Sequence, residues 1–223
     1  MMKQTLLHGL LTVILLVALS AGSGCSKVYY GTMEKFGHHK RDILVDRVSE
    51  AKDAQQEAKE QFSSALEEFM SVANVQGGDL QEKYDTLNDE YEKSAEKAEA
   101  VRDHINDIKK VANALFKEWA NELDEYSNDN LRKSSEQKLE QTQELYGKLI
   151  RAMERAESKI EPVLTAFHDQ VLFLKHNLNA QAIASLQDEL TTVESDIEIL
   201  IREMEKSIDE ADAFIREMTQ QPS

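Results

Sequence analysis

The chain has 223 residues, and its 42 acidic against 26 basic side chains give a net charge of −16. This negative charge disfavours nucleic-acid binding, because neutralising phosphates requires clustered Lys and Arg. Only eight Gly, two Pro and 6% aromatic residues occur in the chain. Since Ala, Glu, Lys, Leu and Gln are abundant, the composition favours long helices over sheets.

Residues 1–24 have the layout of a secretory signal peptide. Lys3 precedes an apolar run from Leu10 to Leu19, small residues follow up to Gly24, and no acidic residue occurs in this segment. The apolar run is shorter than the roughly 20 residues that a membrane-spanning helix needs. We therefore predict a targeting segment that is removed after Gly24.

Four long helices are predicted after residue 41, at about 42–74, 79–126, 130–177 and 180–219. Each carries apolar or small residues at alternating steps of four and three, which is typical of a helix that packs lengthwise on other helices. In the first helix these positions are Leu44, Val48, Ala51, Gln55, Ala58, Phe62, Ala65, Phe69 and Val72. Gln55 is the polar member of this apolar seam.

The seams of the other three helices follow the same rhythm. The second has Leu80, Tyr84, Leu87, Tyr91, Ser94, Ala98, Val101, Ile105, Ile108, Ala112, Leu115, Trp119 and Tyr126. The third has Leu139, Tyr146, Leu149, Met153, Ala156, Ile160, Val163, Phe167 and Leu174. The fourth has Ile183, Leu186, Leu190, Val193, Ile197, Leu200, Met204, Ile208, Ala211, Ile215 and Met218.

Turn and capping residues separate the first three helices. Gly77 and Gly78 can adopt the left-handed conformation that ends a helix. Asp79, with Glu82 three residues later, resembles a capping box that begins the second helix. The segment "SNDN" at 127–130 offers several N-cap residues for the third helix.

Two positions in the second half of the chain leave alternatives open. Pro162 lies within the third seam and removes one backbone donor, so it kinks or breaks the helix. Because the seven-residue phase continues through Pro162, we prefer a kink to a turn. At "HNLNA", residues 176–180, the third helix can end with Asn179 capping the next, or one helix can continue.

These features predict an all-α protein, an elongated up-down bundle of about four long coiled-coil-like helices after an N-terminal signal. Each helix has one apolar seam and a charged outer face, so none is stable alone. Short connections favour antiparallel neighbours. An extended coiled-coil homo-oligomer built from the same seams is the alternative.

Cys25 is the only cysteine of the chain, so it has no partner for an internal disulfide. It follows the predicted signal directly, and "LSAGSGC" resembles a bacterial lipobox, in which the thiol takes diacylglycerol and becomes the first residue. Ser23 and Gly24 fit this pattern, whereas Gly22 stands where an aliphatic residue is usual. The resemblance implies cleavage between Gly24 and Cys25, with diacylglycerol and an N-acyl lipid on Cys25. Ordinary signal cleavage, leaving a free thiol, is the alternative.

The residues after Cys25 indicate which membrane the protein would be attached to and which side chains would contact its headgroups. Lipoproteins of Gram-negative bacteria with Asp directly after the cysteine tend to stay at the inner membrane, and this chain has Ser26 there. The resemblance therefore implies an outer-membrane protein facing the periplasm. Lys27, Lys35, Lys40 and Arg41 are candidates for contact with anionic headgroups. An ordinary basic linker over residues 25–41 explains them equally well.

The segment "YYGTMEKFGHHKRDILVDRVSEAKDAQQEAKEQFSSALEEF" begins at Tyr29. It resembles the start of an uncharacterised family of Gram-negative lipoproteins known as a domain of unknown function (DUF2959), and "MEKFGHHKRDILVDRV" is its most specific part. The resemblance extends through the helical region. It implies a secreted, lipid-anchored helical protein and supplies no activity.

We find no pattern of catalytic residues and predict no enzyme activity, metal or dissociable cofactor. Helical bundles that hold paired metals use Glu-x-x-His, and none of the six histidines has Glu three residues before it. His39 with Asp42, and His104 with Asp107, share helical faces, but such pairs are expected by chance among so many carboxylates.

The sequence thus predicts a lipid-anchored envelope protein that acts as a scaffold, a spacer or a binding protein for an unknown envelope partner. The first alternative is a protein that binds membranes or assembles with itself through exposed apolar helix faces. The remote alternative is a metal-binding helical bundle.

Overall fold

The computed structural model describes residues 40–74, 79–177 and 180–220. Four long helices account for nearly all of them: α1 (Lys40–Asn74), α2 (Leu80–Glu122), α3 (Asp129–His176) and α4 (Ala180–Gln220). A single 3₁₀ turn at Leu123–Glu125 follows α2, and no strand occurs in the described ranges. The prediction of an all-α bundle of four long helices is confirmed.

The helix ends follow local capping chemistry. The side chain of Asp79 accepts hydrogen bonds from the backbone of Gln81 and Glu82, so it is the N-cap of α2 as predicted. Asn128 does the same for α3, accepting from Asn130 and Leu131. Gly77, Gly78 and Asn179 lie outside the described residues.

The structure of α3 decides the two alternatives left open by the sequence, a turn at Pro162 and a continuous helix through residues 176–180. The helix is continuous through Pro162, so the proline does not introduce a turn. It ends at His176, where the backbone amide of Asn177 donates to the carbonyl of Leu174. Because α4 begins at Ala180, one continuous helix through this segment is not formed.

Neighbouring helices run antiparallel within the compact unit that begins at Leu44. Between α1 and α2, Glu57 pairs with Lys97 near mid-helix, while the carbonyl of Val72 accepts from Lys83 near one end. As the residue number increases along α1, the number of the contacting residue on α2 therefore decreases, which defines antiparallel packing. The same holds between α2 and α3, where Arg102 meets Glu161. It also holds between α1 and α4, where Lys52 meets Asp212.

The core is formed by the seams. All nine predicted positions of α1 are buried, and Phe62, Phe69, Phe167 and Phe214 are among the largest fully buried side chains. Phe167 receives the edges of two aromatic rings, from Phe69 at 6.0 Å and from Tyr91 at 6.2 Å between centroids. Since these residues belong to α3, α1 and α2, one ring links three helices.

Two parts of the predicted seams are wrong. Tyr126 is 41% exposed because α2 ends at Glu122, so this tyrosine lies in the turn and not on the helix. In α4, Ser207 and Phe214 are buried, whereas Ile208 and Ile215 are half-buried beside them. From Met204 onward the buried positions continue at alternating steps of three and four, through Ser207, Ala211, Phe214 and Met218, so the position before each isoleucine faces the core.

None of the described helices has a stretch that is both long and apolar enough to span a bilayer. The predicted signal segment precedes the described residues.

We expect Phe167→Ala to lower the free energy of unfolding by about 3–5 kcal/mol, because it leaves a cavity where three helices meet. In thermal denaturation followed by circular dichroism, this corresponds to a melting temperature lower by roughly 10 °C. Phe173→Ala is the matched control, since Phe173 lies on the same helix and is 40% exposed. Equal losses for the two variants would contradict the assignment of Phe167 to the core.

We expect Pro162→Ala to raise the free energy of unfolding by about 1–3 kcal/mol. The substitution supplies a backbone donor inside a continuous helix and removes the ring that crowds the preceding turn. Pro162 is exposed, so no core contact is lost. Urea denaturation measures the change, and a lower midpoint would show that packing of α3 requires the proline.

Candidate functional site

The predicted attachment site precedes the described residues. Gly24, Cys25, Lys27 and Lys35 all lie in that segment, so lipidation, cleavage and headgroup contact at these positions stay predictions. Lys40 and Arg41 form the first turn of α1. Both are partly exposed and each takes part in an interaction within the chain.

The histidines considered as ligands are not gathered into a cluster. His104 lies 4.0 Å from Glu50 on α1, while Asp107 pairs with Lys110 at 2.8 Å. His168 packs against the ring of Tyr91, with 5.0 Å between centroids. His39 lies outside the described residues. Within the described part of the chain, no group of three or more His, Cys, Asp or Glu side chains could hold a metal ion.

A network of charged side chains centres on Arg102, at the boundary of α2 and α3. Its guanidinium donates to Glu161 at 2.5 Å and lies 3.6 Å from Glu99 and 3.9 Å from Glu157. The hydrogen bond to Glu161 raises the pKa of Arg102, so the cation is retained at any physiological pH. The network ties α2 to α3 at their outer surface. Because its members are partly exposed, its contribution to stability is small.

Open grooves interrupt the outer surface of the described helices, and two of them are lined by charged residues. The first holds about 300 Å³ and is lined by Glu57, Glu60, Gln61, Ser64 and Lys97, between α1 and α2. The ion pair with Lys97 crosses it at 2.8 Å and lowers the pKa of Glu57, mainly through the hydrogen bond. The negative charge of Glu57 in this groove is therefore balanced by the ammonium group of Lys97.

The second groove holds about 360 Å³ and lies between α3 and α4. Asp169, Gln170, Phe173, Asp188 and Glu189 line it. The half-exposed ring of Phe173 thus lies among three carboxylates. The arrangement is open to solvent and combines an apolar face with negative charge.

Large exposed apolar side chains are scattered among the described residues. Tyr126 and Leu131 flank the turn between α2 and α3, with exposures of 41% and 57%. Leu172, Phe173 and Ile199 are exposed farther along the chain. Leu172 and Phe173 are adjacent in sequence, so a helical rotation of about 100° points them in different directions. Single exposed apolar residues of this kind are ordinary on soluble proteins.

Sequence reasoning identified the capping residues and most of the core but missed the groove at Phe173 and the partner of Gln55. Phe173 adjoins the regular seam position Leu174, and nothing local marks it as exposed. Ser207 is buried and donates its hydroxyl proton to Gln55 at 2.8 Å. In the sequence, the only indication of this contact was Gln55 itself, because it is a polar residue at an otherwise apolar seam position.

The comparisons with known proteins give a family and no activity. No curated protein and no solved structure matches the chain. One family does match, the protein of unknown function (DUF2959), over residues 29–218. This range begins four residues after Cys25 and includes almost the whole of the four helices. The chain belongs to the DUF2959 family of proteins of unknown function.

Proposed function

We propose that this protein is a lipid-anchored component of the bacterial envelope, facing the periplasm, that serves as a non-enzymatic scaffold, spacer or partner-binding protein. One observation carries the proposal: the sole cysteine follows a signal-like segment directly and precedes the helical region. Two acyl chains on Cys25 would supply stable anchoring, which a single chain does not.

The helical bundle supports a mechanical or binding role. At about 1.5 Å per residue, the 48 residues of α3 extend over roughly 70 Å. Most of the large apolar side chains of the described residues lie in the core, and nearly all of the charged ones lie outside it. A long helical body attached at one terminus can hold a partner at a distance from the membrane surface.

The surface chemistry supports protein binding over binding to nucleic acid or anionic lipid. With a net charge of −16, the chain repels phosphate-rich partners at long range. The groove at Phe173 offers negative charge beside an apolar ring, which suits a partner with basic and apolar side chains. The local exception to this negative charge is a group of basic residues close in sequence to the proposed anchor: Lys27, Lys35, Lys40 and Arg41.

The alternative in which the seams pair between chains or bind membranes has less support. The predicted seam of α1 is fully buried, and beside it Glu57 and Lys59 of α1 form ion pairs with residues of α2 and α4 of the same chain. Within the described helices, these buried seams are not available to a second copy or to a bilayer. Outer-membrane location rests on Ser26 after the cysteine and belongs to the same proposal.

We expect Cys25→Ser to abolish lipid attachment. The wild-type chain, expressed in a Gram-negative host, should remain with membranes after high-salt and alkaline washes and be released by detergent. Its mass should equal that of the chain from Cys25 plus the lipid. The variant should lack the lipid mass and appear in the washed fraction, because its hydroxyl does not replace the thiol nucleophile.

Ser26→Ala is the matched control, since it changes the neighbouring residue and keeps the thiol. It should behave as the wild type does. An unmodified N-terminus on the mature wild-type protein would refute the anchor, whatever the fractionation shows.

We also expect the unlipidated chain to be a monomer that ignores lipid vesicles. Sedimentation velocity of the Cys25→Ser variant should give a mass near that of one chain. Vesicles of anionic and of zwitterionic lipid should leave it in the supernatant, because its apolar seams are buried. Stable dimers, or pelleting with vesicles, would favour the alternative with open seams.

A further inference from the structure

The helices α1 and α4 pack against each other and close the bundle, and no loop joins these two helices directly. Residues 75–79 join α1 to α2, residues 123–128 join α2 to α3, and residues 177–179 join α3 to α4. Each of those short connections limits how far its two helices can slide. No connection acts on α1 and α4 directly, so the side chains that meet there also contribute to the axial position of α4 along α1.

Two ion pairs cross this interface one heptad apart. Lys52 lies 3.1 Å from Asp212, and Lys59 lies 3.6 Å from Glu205. The two lysines are seven residues apart, and so are the two carboxylates. If α4 moved along α1 by one heptad, Lys52 would meet Glu205, or Lys59 would meet Asp212. Because one ion pair survives either displacement, these charges discriminate poorly between registers.

Between the ion pairs, Gln55 and Ser207 form a buried polar contact. Both side chains are fully buried, and the Ser207 hydroxyl donates to the Gln55 carbonyl oxygen at 2.8 Å. A one-heptad displacement would place Gln55 opposite Leu200 or Phe214, and both of these are core residues. The amide would then be buried against hydrocarbon without a hydrogen bond, which is costly.

The same displacement would also bury Ser207 without its hydrogen bond. After displacement by a heptad it would face Val48 or Phe62, which are also buried. The hydroxyl would lose its acceptor in either case. Unlike the ion pairs, the Gln55–Ser207 contact therefore distinguishes the observed register from both neighbouring registers.

The contact is also imperfect, which argues against a purely stabilising role. The amide nitrogen of Gln55 has no hydrogen-bond partner among the described residues. Exchanging the amide oxygen and nitrogen would leave the oxygen without a partner instead. A polar residue at one seam position of a coiled coil lowers stability while specifying register and partner number.

We propose that Gln55 and Ser207 form a register lock, which makes α4 close on α1 of the same chain at one axial position and disfavours slipped or exchanged pairing. The proposal concerns the bundle itself and does not depend on the lipid anchor. Replacing the pair by apolar side chains should make the bundle more stable and less specific.

The experiment uses the full chain with Cys25→Ser, which removes the native thiol. Spin labels are attached at Asp53→Cys and Asp209→Cys, two exposed positions on α1 and α4. Double electron–electron resonance should give one distance for this chain. With Gln55→Leu and Ser207→Ala added, we expect a higher melting temperature together with a second distance, displaced along the axis by about 10 Å, or a dimer in light scattering.

Ser94→Ala is the matched control. Ser94 is also a fully buried seam serine, but its hydroxyl donates to the Glu90 carbonyl of its own helix. Its removal should leave one distance and a monomer.

A single distance and monomeric mass in the double variant would overturn the lock, at any melting temperature. Loss of the helical circular dichroism signal would overturn it as well, because the pair would then be needed for folding itself. The same heterogeneity in the Ser94→Ala control would show that the effect is not specific to Gln55 and Ser207.

Discussion

Burial of four apolar seams against one another is the interaction on which the rest of this structure depends. Each helix is too polar on its outer face to be stable alone, and isolated helices gain little from propensity. The contact of Phe167 with Phe69 and Tyr91 shows how the helices support each other, because three of them meet at one side chain. Once the seams face inward, nearly all charged side chains of the described residues are left outside the core.

Apart from Glu90, which accepts from Gln61 and Lys93, the buried polar side chains among the described residues fall into two kinds. Ser94 and Thr142 return their hydroxyl protons to carbonyls four residues earlier in their own helices, so neighbouring helices are not involved. Ser207 instead donates its hydroxyl proton to the side-chain oxygen of Gln55, across two helices that are far apart in sequence. The first kind is compatible with any register, whereas the second depends on a particular alignment of α1 and α4.

The proposed function divides between two parts of the chain. Attachment rests on the chemistry of Cys25 and its small neighbours, which is a property of a few consecutive residues. The bundle contributes length, a strongly acidic surface and the groove at Phe173, all of which depend on helix packing.

Periodicity and capping in the sequence by themselves determined the fold class, the number of helices and the N-cap at Asp79, because these depend on residues within one or two turns, whereas the choice of Asn128 among the cap candidates at 127–130 came from the structure. The complete seam of α1 was readable for the same reason. Tertiary structure alone decided that Ser207 and Phe214, and not Ile208 and Ile215, face the core. An isoleucine follows each of these two positions, so local hydrophobicity favoured the wrong residue, and the choice depends on which side chains meet the neighbouring helices. The partner of Gln55 was hidden for the same physical reason, since 152 residues separate the two side chains.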